Sequence, residues 1–582
     1  MKRYILTAIA AGMTLAAAHA EYTLKLTQGK FPEGVTVENL NGNLPSKSAY
    51  NSKKGWTDQG WIVGDYGQRL NAALSPSFLG GDGVCESGLT LPSVMIEEGE
   101  WLSWEGCEVY PVFSDDYTVE FRAAGSDAWT TLGSFSESSS AWSRHMIDLG
   151  DFAGMEGEVR FVCRSAGGYM LALSNVVIAR PKENSFVCSN GTPKFFGLSD
   201  LKDGAAMTEI SVLNAGAPVA GAELCLVVGD DTVASLSEPD VWATGETHTF
   251  RLPLPLALNE RCDYKVTIDC DGAVQTLGES FAFCSSFRRS LFVDKGTGMW
   301  CTSCPAGTIQ MEDLQAEYGD AVIAVETHNN DSLADDIDFA WLKFYAIPYF
   351  RLNRITSTQG DNTNRFADQI CVPTEMDINV RSLSLNADGS LRAEADVRTS
   401  GDFAADGSAY RVGYILTRDF PGGVSSYYQQ NNCVIARYRQ YYYLPSRIPS
   451  ALCSFPDVSI PSPLATLSTN PAFTGVEGSL PESLEGESTY SAAWDILLPE
   501  GYDGFGGMRL VAYVLDAASG VIINSTAVDI DSLVGTGAVD SVSDAVVGAK
   551  GVFSIDGRRI ASSVDDLAPG LYIIDGKKTL IR

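Results

Sequence analysis

The sequence predicts a multidomain, mainly β chain in which jelly-roll and immunoglobulin-like sandwiches flank one α/β unit. Three observations carry this. The chain has 582 residues, more than a single hydrophobic core organises, so about three to five domains are expected. Short runs of alternating apolar and polar residues, split by turn residues, recur along most of it. Near residue 290 that pattern gives way to strand, helix, strand, helix.

The start reads as an export signal over residues 1–20. Lys2 and Arg3 form a positive end, Tyr4 to Ala18 is apolar, and Ala18-His19-Ala20 is a small-x-small cleavage site. The apolar stretch is too short for a comfortable membrane span. The expected location is therefore exported: the cell surface or medium by way of the outer membrane, with the periplasm as the alternative. The formal net charge of −32 repels phosphate backbones, so no nucleic-acid partner is expected.

Residues 22–182 read as the jelly roll. Tyr117-Thr-Val-Glu-Phe121 and Glu158-Val-Arg-Phe-Val162 alternate, and Tyr169 to Ile178 is a further apolar run. Trp56, Trp61, Trp101 and Trp104 lie near its start. Tryptophans can stack on sugars, but packing is the expected role. The strand pattern and the ending Leu173-Ser-Asn-Val-Val-Ile-Ala179 resemble adhesin-type jelly-roll modules of secreted surface proteins. Residues 186–286 read as an immunoglobulin-like spacer, with Thr208 to Leu213, Ala222 to Val228 and Tyr264 to Asp269 as strands.

Residues 288–370 are the α/β unit. Ser290 to Asp294 is a buried-type strand, and Met311, Leu314 and Tyr318 mark one helix face ended by Gly319. Ala321 to Val325 is the next strand, and Asp338 to Tyr345 a second helix. Residues 372–530 return to a β-sandwich. Within it, residues 417–490 read as a long irregular loop carrying Tyr427, Tyr428, Tyr441, Tyr442 and Tyr443. Residues 531–548 read as a linker, and 549–582 as a small terminal β unit.

The chemistry-bearing string is Trp300-Cys301-Thr302-Ser303-Cys304-Pro305. It sits between a strand and a helix. At a helix N-terminus, unpaired N–H groups and the macrodipole stabilise the Cys301 thiolate, which is the attacking species in disulfide exchange. Cys304, one turn on, is placed to resolve a mixed disulfide. A zinc half-site and a structural disulfide are the competing readings. No second Cys-x-x-Cys follows and the chain has four histidines, so no metal and no cofactor are expected. Thirteen cysteines in an exported chain leave eleven beside this pair. At least one is then free or paired outside the chain; the alternative to a disulfide framework is that several are unpaired and buried as small hydrophobes.

Gly296-Thr-Gly-Met-Trp-Cys-Thr-Ser-Cys-Pro-Ala-Gly307, His328-Asn-Asn-Asp331 and Pro348-Tyr-Phe-Arg-Leu-Asn-Arg354 together resemble a secreted thioredoxin-like family of Bacteroidetes-type bacteria, related to an outer-membrane protein 28. The resemblance covers residues 288–370. It implies a thioredoxin fold, Cys301 as attacking and Cys304 as resolving cysteine, and Pro348 as a cis-proline facing them across a peptide groove. Trp300 and Pro305 flank the pair as supporting residues. Thioredoxins place a buried acid six residues before the first cysteine; here that position is Lys295, with Asp294 one residue earlier. Asp294 and His328 are the candidates for the supporting role. Val552-Phe-Ser-Ile-Asp-Gly-Arg-Arg559 and Leu567-Ala-Pro-Gly-Leu-Tyr-Ile to the basic end resemble a type IX secretion C-terminal sorting domain.

Two functions are thus expected. One is a thiol–disulfide oxidoreductase acting on the thiols or disulfides of exported proteins. The other is a cell-surface adhesion protein that binds glycans or proteins, with a purely structural thioredoxin-like unit.

Overall fold

A computed structural model describes residues 21–534 except 28, 44–59, 67–68, 77–83, 109–114, 138–140, 166–169, 239, 302–303, 345, 359–362, 405–406, 421–454, 461–469 and 503. Beyond these it describes the strands at 552–554, 559–561, 570–574 and 577–581. The export signal, Trp56, the five loop tyrosines and linker residues 535–548 lie outside the described residues.

The chain is mainly β. The first unit stacks two six-stranded antiparallel sheets. One runs Ser143–Asp148, Trp101–Glu108, Met170–Ala179, Arg69–Pro76, Ile62–Tyr66, with Tyr22–Thr23 added beside Met170–Ala179. The other runs Thr36–Asn39, Cys85–Thr90, Glu156–Ser165, Asp116–Ala123, Thr130–Ser136, with Val94–Met95 beside Glu156–Ser165. Alternation does the sorting: Tyr117, Val119 and Phe121 turn inward with Val159 and Phe161, while Thr118 and Glu120 stay at the surface side. Each such side chain fully buried stabilises the fold by ~1.5–3 kcal/mol before entropy is counted. Trp61 and Trp104 are enclosed in this core, and Trp101 lies against Gly245 of the next unit. The described tryptophans of this group are therefore packing residues.

The second unit is a sandwich of a three-stranded and a five-stranded sheet around Trp242, closed on one side by the Ala205–Met207 and Pro253–Pro255 ribbon. Phe195–Gly197 pairs parallel with Ala273–Ser285, which carries the chain directly into the α/β unit.

There, one eight-stranded sheet continues into the C-terminal half. Its order is Thr356–Thr358, Tyr349–Leu352, Leu291–Thr297, Val322–His328, Phe455–Ile460, Tyr410–Phe420, Met508–Asp516, Ile522–Asp529. The stretches 288–370 and 372–530, read from sequence as two domains, thus share one sheet. Phe455–Ile460 falls within the stretch read as irregular loop. It contains Pro456, which argues against an interior strand, and Asp457 with φ +52° breaks its alternation. A three-stranded sheet of Met376–Leu385, Leu391–Thr399 and Thr489–Ile496 packs on the far half of the large sheet to form the C-terminal core. Residues 531–534 continue the fold as the helix Ile530–Val534, with Ile530 buried. The terminal strands form a separate four-stranded antiparallel sheet.

Candidate functional site

The site is built on the strand Leu291–Thr297, every residue of which is buried. It pairs parallel with Val322–His328 and antiparallel with Tyr349–Leu352. Side chains alternate across it. Leu291 and Val293 pack with Met311 and Leu314 of the helix Cys304–Tyr318. Phe292 packs on the opposite face with Tyr513 and Phe473 of the C-terminal half.

The strand leads through Gly298 to Trp300 and Cys301, and the helix begins at Cys304. Cys301 and Cys304 are joined as a disulfide, with Cα atoms 5.4 Å apart. Both are buried, Cys301 at 5% exposure and Cys304 at 2%. The Ile347–Pro348 peptide is cis, and the Sγ of Cys301 lies 3.7 Å from the carbonyl oxygen of Ile347. A Cβ on Gly307 would fall 2.6 Å from the Cβ of Pro348. That glycine lets the first turn of the helix meet the proline loop. Trp300 is half exposed beside the pair, its indole N–H donating to the carbonyl of Asn329 at 2.7 Å. Pro305 lies in the first turn of the helix.

Burial pushes the thiols of Cys163, Cys188 and Cys371 above their ordinary range, Cys188 to about 11. Such thiols hold little thiolate and react slowly. Among the described residues Cys301–Cys304 is the one disulfide, and no group of three or more His, Cys, Asp or Glu could hold a metal ion.

His328 is fully buried at the end of its strand, and its Nδ1 lies 2.9 Å from the carboxylate of Asp331. The same carboxylate accepts the backbone N–H of Met299 at 2.7 Å and that of Leu333 at 2.9 Å. Burial acts to raise the Asp331 carboxyl, but His328 and the two amides outweigh it and hold the carboxyl below its ordinary value. This arrangement ties His328 to the loop that carries Cys301.

Asp294 stands differently from the expectation. It lies on the face opposite the cysteine helix, where Arg354 approaches it at 3.2 Å. Burial raises its carboxyl and Arg354 partly offsets this. The Arg354 guanidinium sits over Phe473 at 4.3 Å and near the Phe292, Tyr513 and Trp341 rings. The odd–even alternation of the strand sends 294 one way and 295 the other. Lys295, whose Cε would lie 3.4 Å from a Cβ on Gly307, is the ionisable residue beneath the cysteine helix. It pairs with Glu326 across the parallel register, both essentially unexposed. Glu326 carried no signal in the sequence: it follows the strand read over Ala321 to Val325, and only the structure extends that strand to His328. The Asn353 side chain accepts the Phe292 N–H at 2.9 Å, so Asn353 and Arg354 of the third motif segment brace the strand rather than face the cysteines.

No protein-family model and no curated protein sequence matches the chain. Among solved structures, HBP35 of Porphyromonas gingivalis is similar at 16% identity over 51% of this chain and 98% of that one, with a TM-score of 0.32. The K1 cleaved adhesin domain of Lys-gingipain from Porphyromonas gingivalis W83 is similar at 19% identity over 28% and 99%, TM-score 0.22. TmCBM61, solved with β-1,4-galactotriose, is similar at 10% identity over 25% and 89%, TM-score 0.18.

Proposed function

We propose that the chain is an exported cell-surface protein whose thioredoxin-like unit exchanges disulfides with other exported proteins. The observation that supports this reading is the Cys301–Cys304 disulfide at the start of a helix, with Pro348 and the carbonyl of Ile347 against it. In the reducing direction, the Cys301 thiolate attacks a sulfur of the partner disulfide. The partner's S–S bond breaks, one partner thiolate leaves, and a mixed disulfide forms. The Cys304 thiolate then attacks the Sγ of Cys301 and expels the second partner thiolate. Two electrons pass to the partner, and Cys301–Cys304 is the oxidised product. The oxidising direction is the reverse. The helix N-terminus favours the thiolate that each direction needs. The residues act without a metal or cofactor, and the partner is a protein thiol or disulfide.

The test is disulfide exchange with a reduced or oxidised model protein, followed by mass-spectrometric trapping. Cys301→Ser should abolish exchange and Cys304→Ser should accumulate the mixed disulfide. A Cys301→Ser variant with full activity would remove the reading.

A second reading is surface adhesion through the β modules. The observation favouring it is that the two sandwiches preceding the centre take up residues 22–286, with none of the described chemistry of the centre in them. Glycan and host-protein panels test it: binding that survives loss of both cysteines supports adhesion with a structural thioredoxin-like unit, and no binding on any panel counts against it. The C-terminal sheet is read as the type IX sorting signal, and its removal should abolish surface display.

A further inference from the structure

The strand Phe455–Ile460 begins 85 residues after the α/β unit ends at residue 370, yet it lies beside the centre. It pairs parallel with Val322–His328 through Glu326 and Val458, and antiparallel with Tyr410–Phe420. Val458 and Met299, each 1% exposed, form a small apolar cluster of their own, with Leu333 against it. Met299 stands two residues before Cys301. Its backbone N–H is the one that Asp331 accepts, so its amide is held from one side and its side chain from another.

Asp457 fixes the strand in that position. It sits where the pairing with Tyr410–Phe420 shifts register between Arg418 and Phe420, in a left-handed conformation that Asp tolerates and that re-aims a side chain. Its N–H donates to the Asp419 carboxylate at 2.9 Å, and its own carboxylate accepts from Arg509 at 2.5 Å. Glu326, the partner of Lys295, is within electrostatic reach of it. The contacts therefore run from the C-terminal sandwich through Phe455–Ile460 to both supports of the cysteine helix: the Met299 loop and the Lys295–Glu326 pair.

We infer that Val458 and Asp457 are positioning residues of the redox centre, so that the C-terminal sandwich completes the site that the α/β unit begins. The inference rests on the exchange reading above. Its physical basis is that a nucleophile held slightly off its attack geometry loses rate steeply, and the Val458–Met299 contact holds the chain two residues before Cys301.

The experiment uses the full chain with Val458→Ala, Val458→Ile, Met299→Ala, the Val458→Ala/Met299→Ala double variant and Asp457→Asn. Exchange rate is measured together with iodoacetamide alkylation of reduced Cys301 over a pH series. Val458→Ala is expected to slow exchange roughly three- to tenfold and to shift the alkylation profile, with Val458→Ile restoring both. The double variant is expected to be no slower than the worse single variant, as coupled neighbours require. Wild-type rates and profiles in both Val458→Ala and Asp457→Asn would overturn the inference. If Val458→Ala fails to fold, Met299→Ala decides from the other side of the contact. If the wild-type chain exchanges no disulfide, the exchange reading falls, while the alkylation profile still decides positioning: a shifted profile supports it and an unchanged one overturns it.

Discussion

Lys295 and Glu326 form an ion pair on adjacent parallel strands, at 0% and 3% side-chain exposure, beneath the first turn of the cysteine helix. Removing one partner of such a pair leaves an uncompensated buried charge, which costs about 3–5 kcal/mol. Lys295→Met should therefore lower the urea midpoint sharply. Lys295→Met with Glu326→Met should recover most of the loss, because an apolar pair of similar volume needs no compensation. A single variant as stable as wild type would mean that Glu326 is solvated in solution.

Gly307→Ala should damage the site with little effect elsewhere. The added methyl would lie 2.6 Å from the Cβ of Pro348, so the helix and the proline loop must separate. Overpacking of this kind costs about 1–3 kcal/mol, and the exchange rate should fall along with the thermal midpoint. Gly319→Ala, at a position with open space but φ +61°, should cost stability alone.

The Asp331 carboxyl lies below its ordinary value in the folded chain. A carboxylate with a depressed folded pKa contributes stability above its unfolded pKa of about 3.9, and loses it as pH falls through the folded value. Asp331→Asn should be less stable than wild type at neutral pH and should show a shallower loss on acidification. Denaturation midpoints over an acid series check both, and an Asn variant with the wild-type slope would refute the assignment.

Asp457 has the opposite sign. Burial pushes its carboxyl to about 6, against the partial offset of Arg509. A raised carboxyl binds more protons in the folded than in the unfolded chain between about pH 4 and 6, so stability declines as pH rises through that window. Asp457→Asn should flatten part of the decline. Burial raises the carboxyls of Asp294, Asp335 and Asp338 as well, and these share the decline.

Arg354→Lys should not be conservative. The guanidinium reaches both oxygens of Asp294, the carbonyl of Ala472 and the face of Phe473, a planar, multi-donor role that an ammonium cannot fill. The expected cost is on the order of 2 kcal/mol or more, since a buried carboxylate loses a partner. Exchange chemistry should change less than stability, because Arg354 and Asp294 lie on the face away from the cysteines. A variant with wild-type stability would show that Asp294 finds another donor.

Position 294 is an acid near the right spacing, but a strand sends neighbouring side chains to opposite faces, and which face received the cysteine helix was not encoded locally. Lys295 was visible as a departure, while its partner Glu326 stands just past the apolar run of Ala321 to Val325. The His328-Asn-Asn-Asp331 segment was legible as a motif, yet its grip on Met299 depends on the turn that brings two strand ends together.

By itself the sequence determined the mainly β composition, the alternating strands of the first two sandwiches, and the strand–helix placement of Cys301 and Cys304. These follow from local periodicity and from residue types whose backbone freedom or thiol chemistry acts over a few residues. Only the tertiary structure decided that Phe455–Ile460 joins the α/β sheet and that Val458 reaches Met299. Pro456 and the left-handed Asp457 conceal that strand from any periodic pattern, and its pairing joins residues more than a hundred positions apart. Non-local strand pairing of this kind is fixed by the summed burial of a whole sheet, not by any short stretch of chain.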